Sequence, residues 1–397
     1  MIPEDRNESI GLMEPLLISE SSRHRSALND LALELATRSA AFKSSLPKEI
    51  VSALAELVRS MNCYYSNLIE GHETHPIDIE RALQEDYSAD PEKRDLQLEA
   101  RAHIAVQSWV DAGGVEGAET DPVSLCEIHR RFCGLLPDSL LWVENPDTKE
   151  KARVLPGAYR TGYVQVGLHI PVSPDAIQRF LDRFHDAYGR LGKASAIIGA
   201  AGAHHRLLWI HPFADGNGRV ARLMSHAMLL RSLDTGGLWS VARGLARKVE
   251  AYKEHLASCD TDRRNDLDGR GTLSEEALSS FTRFFLETCL DQVNFMESLM
   301  QPAALRERVL LWTKNEAELG RLPAKAGRLM EAVLYRGSLP RSELEDTLGM
   351  ADRSARRVAA ALVKAGVLTS KTHKSDLRLA FPASLASLWM PGLFPEK

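Results

Sequence analysis

One segment in the middle of the chain combines residue types that bind phosphate and move protons. It reads His211-Pro212-Phe213-Ala214-Asp215-Gly216-Asn217-Gly218-Arg219-Val220-Ala221-Arg222. The glycines on either side of Asn217 mark the point where a loop gives way to a helix. They let backbone N–H groups approach an anion at the positive end of the helix dipole. This pattern predicts an anion-binding site.

The charged residues of the segment indicate which anion it binds. Arg219 and Arg222 are three residues apart and share one helix face. Two arginines at a helix N-terminus cost about 0.3–1 kcal/mol each unless an anion lies between them and the dipole. A phosphate chain supplies that anion, Asp215 suits Mg²⁺ shared with the phosphates, and His211 can act as general base. These residues indicate phosphoryl or nucleotidyl transfer; a helix N-terminus with a solvated basic face is the alternative.

The segment resembles the signature of the Fic family, HPFx(D/E)GNGRxxR, and matches it at every specified position. The resemblance implies that His211 deprotonates a target hydroxyl, which attacks the α-phosphate of ATP, and that Asp215 holds Mg²⁺. Related Doc-type kinases carry lysine at the position of Gly218, so glycine implies transfer of AMP rather than phosphorylation. The resemblance also implies an ATP site formed by Gly216, Asn217, Gly218, Arg219, Val220, Ala221 and Arg222.

Glu70 stands at the end of a helix that apolar periodicity predicts over about 48–71, where the helix dipole disfavours a carboxylate. Gly71 is a typical residue for ending that helix, and Ser66 lies one turn before Glu70 on the same face. The segment resembles the family's inhibitory motif, (S/T)xxxE(G/N). The resemblance implies that Glu70 pairs with Arg222 and occupies the γ-phosphate site. An ordinary glutamate at a helix end is the alternative.

Three further features match the resemblance more weakly. His204 lies where relatives often carry histidine, and a role in the helical core is favoured over catalysis. Tyr252 lies where relatives place a tyrosine near the nucleotide base, and a core tyrosine is equally compatible. The glycine-bounded stretch 156–171 predicts a short hairpin or extended flap, which the resemblance implies clamps a target peptide by strand addition; an exposed hairpin is the alternative. The flap residues are Tyr163, Val164, Gln165 and Val166.

The elements that must position these residues are mostly helices. Helical periodicity recurs along the chain, so we predict a mainly α protein, with a Fic helical core and a small β-hairpin flap as the resemblance implies. Residues 1–30 are expected to form a loosely held arm. The predicted organisation is an N-terminal arm and helical region (1–110), a Fic catalytic core (111–300), a linker helix (301–324) and a winged helix domain (325–397).

The C-terminal segment has the element order of a winged helix-turn-helix. Predicted helices at 325–335, 341–348 and 352–365 precede strands near 367–371 and 376–381. Residues 325–381 carry a net charge of +5, which makes DNA a candidate partner. Dimerisation or presentation of targets is favoured over DNA binding. The candidate phosphate-contacting residues are Arg353, Arg356, Arg357, Lys371 and Lys374.

Composition narrows the class of protein. The 397 residues carry a formal charge of −5, with 44% hydrophobic and 26% charged residues, which is typical of a globular protein. Five cysteines show no CxxC spacing, which suits a reducing compartment and gives no zinc signature. No secretory leader and no long apolar run is evident, so we expect a cytoplasmic protein without membrane association.

Together these features predict a protein adenylyltransferase. It would transfer AMP from ATP, with Mg²⁺, to Ser, Thr or Tyr hydroxyls of unknown target proteins or of itself, and Glu70 would inhibit it through Arg222. One alternative is a DNA-binding regulator whose Fic core senses nucleotide. Others are removal of AMP, or another nucleotide donor, at the same site. A homodimer is also compatible with the sequence.

Overall fold

A computed structural model describes residues 5–144, 149 and 151–395 of the chain; the ends of the predicted N-terminal arm and winged helix domain lie outside these ranges. The described chain is mainly α, as predicted. Its helices are α1 (Arg25–Ser44), α2 (Lys48–Ile69), α3 (Pro76–Leu83), α4 (Pro91–Asp111), α5 (Pro122–Cys133), α6 (Ile177–Tyr188), α7 (Lys193–Ile210), α8 (Asn217–Leu233), α9 (Val241–Arg247), α10 (Val249–Cys259), α11 (Glu275–Leu299), α12 (Pro302–Glu318), α13 (Ala326–Arg336), α14 (Leu344–Leu348), α15 (Asp352–Lys364) and α16 (Ala386–Trp389). The strands are β1 (Trp142–Glu144), β2 (Lys151–Arg153), β3 (Ser338–Leu339), β4 (Leu368–Thr369) and β5 (Leu377–Leu379).

Aspartate–proline pairs fix where α4 and α5 begin. Asp90 accepts a hydrogen bond from the N–H of Glu92 at 3.0 Å, and Asp121 accepts one from Val123 at 2.7 Å. In each case proline occupies the first helical position, where no N–H is needed. Both helices therefore begin at the residue after the capping aspartate.

The described chain divides into two compact units. The first comprises 62–235 and 240–292 together with the chain up to residue 40. In it α7 and α8 pack against each other, and α4 and α5 pack on α8. Small residues make α7 buried along nearly its whole length, so this helix forms the centre of the unit. Among the described helices, none is long and apolar enough to cross a membrane.

The second unit comprises 41–61, 236–239 and 293–397. Its three strands form an antiparallel sheet in the order β3-β5-β4, with α13, α14 and α15 as the helices between and beside them. The three helices and the strands β4 and β5 follow the order that the sequence predicts, whereas β3, between α13 and α14, was not predicted. The assignment of the segment to the winged helix fold stays a prediction.

The N-terminal segment packs against the first unit, so the expectation of a loosely held arm is wrong for its described part. Met13, Leu16 and Ile18 are buried, and α1 already begins at Arg25. The buried Arg206 of α7 donates to the carbonyl of Pro15 at 2.9 Å. The apolar side chains of this segment are buried, but they are spaced irregularly because the segment is not helical. Their burial could therefore not be predicted from periodicity.

The small hairpin lies before the predicted flap rather than in it. β1 and β2 pair antiparallel, whereas the predicted flap contains a single bridge between Val166 and His169. The residues on either side of this tight turn form no helix and no strand. The segment is therefore a loop closed by one tight turn, and the prediction of a hairpin there holds only at its tip.

Candidate active site

The junction between α7 and α8 brings the predicted catalytic residues together. His211 ends α7 with a left-handed backbone (φ 51°), which turns the chain sharply out of the helix. Phe213 and Asn217 then close the loop, because the Asn217 side chain accepts from Phe213 N and donates to Phe213 O, both at 2.9 Å. Gly216 caps α8 with φ 80°, a conformation that favours glycine. The Asn217 side chain thus braces the loop, and the cradle must rely on backbone N–H groups.

His129 on α5 supports this loop, and sequence reasoning missed it. Its ring stacks on Phe213 with centroids 4.0 Å apart. The N–H of Gly157 donates to His129 Nδ1 at 2.9 Å, so the proton must lie on Nε2, which faces the carbonyl of Asp215 at 3.2 Å. Burial lowers the pKa of His129 to about 4, which keeps the ring neutral. Nothing in the sequence around His129, a single histidine in a helical pattern, indicated that it supports this loop.

His211 has the properties of a general base. Its Nδ1 has no hydrogen-bond partner among the described residues. Burial, together with the nearby Arg160 guanidinium, lowers the pKa of the imidazole to about 4. The ring is therefore neutral and able to accept a proton at physiological pH.

Asp215 is exposed, and no hydrogen bond or ion pair involves its carboxylate in the described part of the chain. No group of three or more His, Cys, Asp or Glu side chains that could hold a metal occurs among the described residues. A single exposed carboxylate beside an anion cradle fits Mg²⁺, which binds proteins through one or two carboxylates and completes its shell with phosphates and water. The residues present therefore fit the ion that the sequence implies.

Arg222 contacts the two key residues of the predicted inhibitory segment. Its Nε donates to Ser66 Oγ at 2.8 Å, one Nη donates to the Ser66 carbonyl at 3.1 Å, and it forms an ion pair with Glu70. Partial burial would raise the pKa of Glu70, but the guanidiniums of Arg222 and Arg219 outweigh it and hold that pKa below its ordinary value. The Arg222 side chain is 3% exposed and that of Glu70 is 30% exposed. The carboxylate is thus ionised and reachable from solvent.

Gly218 leaves the space that this ion pair occupies. A Cβ atom at residue 218 would overlap the Glu70 carboxylate and would lie 3.1 Å from Nη1 of Arg222. Glu70 therefore lies directly on the N-terminus of α8, where the glycine backbone is exposed to an anion. This is the position that the resemblance assigns to substrate phosphate.

Arg219 forms an ion pair with Glu99, a residue of α4 that sequence reasoning missed. Both side chains are nearly inaccessible to solvent, and the guanidinium also lies over the Phe132 ring. His72 Nδ1 lies 2.8 Å from Glu99, and its hydrogen bond with that carboxylate raises the pKa of His72. Arg219 is therefore already fixed in direction, while Arg222 contacts the more exposed Glu70.

Tyr252 and His204 form a buried network beside Arg222. The Tyr252 hydroxyl donates to His204 Nε2 at 2.7 Å, and His204 Nδ1 bonds Ser225 Oγ at 2.9 Å. Burial raises the pKa of Tyr252 to about 12 and lowers that of His204 to about 3. This arrangement agrees with the core roles left open for both residues, and stacking of Tyr252 on a nucleotide base stays a prediction.

Two residues of the predicted ATP site face away from an anion. Val220 and Ala221 are buried in the first turns of α8. The N–H of Val220 already donates to the carbonyl of Gly216 at 3.0 Å. The side chains of Val220 and Ala221 thus pack in the core, and the cradle is confined to residues 216–219 and the Arg222 guanidinium.

Most of the predicted flap residues are exposed to solvent. Val164 is half-buried, whereas Tyr163, Gln165 and Val166 are exposed. Leu168 at the tip is fully exposed, and the bonds between Val166 and His169 close the turn. The Arg6 guanidinium lies 4.4 Å from the centroid of the Tyr163 ring. An exposed loop segment without strand partners in the described chain is accessible to pairing with another strand.

The α7–α8 junction combines a loop-to-helix anion site, a neutral histidine and an exposed aspartate. A buried helix pair supports them. Residues 119–229 match the Fic/DOC family. The match covers the part of the chain that holds the α7–α8 junction.

Curated relatives match beyond that domain. The protein adenylyltransferase Fic of Nematostella vectensis is 31% identical over 175 residues, which is 43% of this chain and 37% of that protein. The Drosophila willistoni protein of the same name is 29% identical over 171 residues, covering 43% of this chain and 31% of that one. The chain thus spans about a third of the length of the curated relatives it matches.

Two solved structures resemble this chain in fold over most of its length. A Fic family protein from Desulfovibrio desulfuricans aligns over 92% of this chain and 98% of its own, with a TM-score of 0.54 and 15% identity. Fic-1 from C. elegans (residues 134–508) covers 70% of this chain and 74% of its own, with a TM-score of 0.53 and 18% identity. At these identities the likeness concerns the fold.

Proposed function

We propose that this protein is a protein adenylyltransferase that transfers AMP from ATP to Ser, Thr or Tyr hydroxyls of protein targets, itself included. The observation that carries the proposal is the α7–α8 junction, where a neutral His211 with a free Nδ1 precedes an exposed Asp215 and a glycine-bounded helix N-terminus. Similarity to proteins named protein adenylyltransferase Fic supports the choice of AMP as the transferred group.

In the proposed reaction, His211 takes the proton of the target hydroxyl. The hydroxyl oxygen then forms a bond to the α-phosphorus of ATP, the bond from that phosphorus to the bridging oxygen of the β-phosphate breaks, and pyrophosphate leaves. Backbone N–H groups of residues 216–219 and the α8 dipole stabilise the negative charge of the phosphates. Asp215 would hold Mg²⁺, which neutralises phosphate charge when bound.

We further propose that Glu70 inhibits this reaction. Its carboxylate lies on Gly218 and pairs with Arg222, so it competes with the γ-phosphate for the same guanidinium. ATP would then bind with its phosphates displaced and its α-phosphorus out of line with the target oxygen. Because the carboxylate is 30% exposed, Glu70 can be solvated when it leaves Arg222, and a movement of the end of α2 would provide such a release.

The deciding experiment compares protein-bound label from α-labelled ATP and Mg²⁺ in four full-length proteins. They are the wild type, Glu70→Gly, Glu70→Gly/His211→Ala and, as a matched control, Glu73→Gly, which changes an exposed carboxylate three residues further on. We expect at least about tenfold more label with Glu70→Gly, because competition of one ion pair is worth about 1.4 kcal/mol or more. The double variant should lose the label, and Glu73→Gly should match the wild type.

Each result separates the parts of the proposal. Equal label in wild type and Glu70→Gly would remove the inhibitory role and leave the transfer activity intact. Absence of label in all four proteins, with ATP binding retained, would favour a nucleotide sensor or another donor. Competition among the four nucleoside triphosphates distinguishes these last two cases.

A further inference from the structure

The Arg160 guanidinium is buried, and within the described part of the chain its hydrogen bonds all go to backbone carbonyls. The residue is 4% exposed. Its Nε donates to the carbonyl of His211 at 2.8 Å, Nη1 donates to Gly162 at 2.9 Å, and Nη2 donates to Val172. In addition its backbone N–H donates to the carbonyl of Pro212 at 2.9 Å. One residue thus joins the chain around His211 to both ends of the flap.

This burial is costly and calls for a reason. Burial lowers the pKa of Arg160 to about 10, although the Glu8 carboxylate and the Tyr163 hydroxyl act electrostatically in the opposite direction. No ion pair within 4 Å of the guanidinium occurs in the described ranges of the chain. A buried charge without a carboxylate partner is unfavourable unless its donors are satisfied. Here a rigid fork of N–H groups meets three carbonyls in three directions, which a lysine cannot reproduce. The arrangement fixes geometry rather than neutralising charge.

The bond to His211 acts on a strained residue. A left-handed backbone is unfavourable for a residue with a Cβ by about 1–2 kcal/mol, and His211 adopts it at φ 51°. The guanidinium holds the carbonyl of this residue, and therefore the direction in which the imidazole leaves the backbone. The same guanidinium closes the loop between Gly162 and Val172, which carries Tyr163 to Val166.

Resting on the proposed function, we propose that Arg160 is a positioning residue that fixes the distance between a target hydroxyl on the flap and the imidazole of His211. The hydroxyl of a target bound along the flap then lies at a fixed distance from the His211 imidazole. Weakening the hydrogen bonds of Arg160 should slow AMP transfer to a target. ATP binding should stay unchanged, because none of these hydrogen bonds reaches the anion cradle at residues 216–219.

The test uses full-length Arg160→Lys and Arg160→Gln in the Glu70→Gly background, with Arg153→Lys as control. Arg153 is an exposed arginine of β2 that pairs with Asp138 at 2.7 Å. The acceptor is the full-length Glu70→Gly/His211→Ala protein at varied concentration. We expect kcat to fall about 10- to 100-fold, as for a misplaced reacting group. The dissociation constant of ATP should stay within about twofold, and Arg153→Lys should match its parent.

Hydrogen exchange of the same proteins provides a readout that does not need activity. We expect faster exchange in the Arg160 variants confined to residues 160–172 and 211–213. Faster exchange throughout the first unit, or weakened ATP binding that matches the loss in kcat, would assign Arg160 to folding or to the nucleotide site and overturn the inference. So would an unchanged kcat. If the Glu70→Gly parent transfers no AMP, the proposed function fails, and the exchange pattern still decides whether Arg160 ties the flap to His211.

Discussion

The two arginines of the α8 N-terminus are each held by a carboxylate, and the two carboxylates differ in exposure. Glu99 is 2% exposed and Glu70 is 30% exposed. A buried pair resists exchange of partners because each charge would be left desolvated. A partly exposed carboxylate loses less when it returns to water. We therefore expect Arg219 to stay fixed and Arg222 to change partners during the proposed reaction.

Removal of the Glu99 charge should destabilise the first unit. Glu99→Gln leaves the Arg219 guanidinium buried without a counter-charge, so we expect the free energy of unfolding to fall by about 3 kcal/mol. Glu92→Gln, an exposed change in the first turn of the same helix, should alter it by less than about 0.5 kcal/mol. Urea unfolding of both variants measures the difference. A loss as small as that of the control would mean that Glu99 is not a buried counter-charge.

The proposed base should be active well below neutral pH. His211 has its pKa lowered to about 4, so the imidazole is neutral and able to accept a proton above that pH, and it becomes protonated below it. In the Glu70→Gly variant, the acid limb of kcat/KM for transfer should lie near pH 4 rather than near the ordinary histidine value of about 6.5. A pH–rate profile measures it. An acid limb near 6.5 would contradict the burial of this ring in the free protein.

For individual residues, the sequence mainly predicts contacts between residues that lie close together along the chain. His211, Asp215 and Gly216 follow one another across one turn, so their spacing alone brings them together. Glu99 contacts Arg219 across 120 residues and Arg160 contacts His211 across 51, and nothing local marks either pair. Glu70 and Arg222 are 152 residues apart, and their pairing was predicted only through the resemblance to a known motif.

The end of α2 depends on one glycine. Gly71 has φ 86° directly after Glu70, in the left-handed region where a Cβ is strained, and its surroundings leave open space. Gly71→Ala should lower the free energy of unfolding by about 1 kcal/mol through backbone strain alone. Gly162→Ala, with equally open surroundings but an ordinary φ, should be nearly neutral. Thermal unfolding of both variants tests this, and equal losses would rule out strain at Gly71.

Helices with explicit start signals were predictable, and so were β4 and β5 of the C-terminal segment, whereas β1, β2 and β3 were not. α4 and α5 begin with Asp–Pro pairs, and long apolar periodicity fixes α2 and α11. Helical periodicity predicts one helix over roughly 243–258, whereas the structure has two, α9 and α10, which are interrupted at Lys248. The hairpin of β1 and β2 has three-residue strands rich in charge, so it shows no alternation to detect.

On the scale of the whole molecule, charge is unevenly distributed. The chain carries −5 in total, whereas residues 325–381 carry +5. Arg353 and Arg357 are exposed on α15, while Arg356 pairs with Asp352 at 2.8 Å. Such a modest patch supports counterion-driven attraction without reading of bases.

Duplex DNA should therefore bind weakly and without sequence preference. We expect the affinity to fall at least about tenfold between about 50 and 200 mM salt, and to be lost in Arg353→Glu/Arg357→Glu while AMP transfer is unchanged. Fluorescence anisotropy with mixed-sequence and selected duplexes measures this. A selected sequence that stays tightly bound at the higher salt would favour the DNA-binding regulator instead.

The overlap between Gly218 and Glu70 makes the effects of substitutions at these two residues depend on each other. Any side chain at residue 218, including the lysine of Doc-type kinases, needs the space that the Glu70 carboxylate fills. A side chain introduced at residue 218 would therefore shift the Glu70 carboxylate, the end of a flexible side chain, away from the N-terminus of α8. Under the proposed function, the change at residue 218 would weaken inhibition while Glu70 is still present. A later change of Glu70 would then have little further effect.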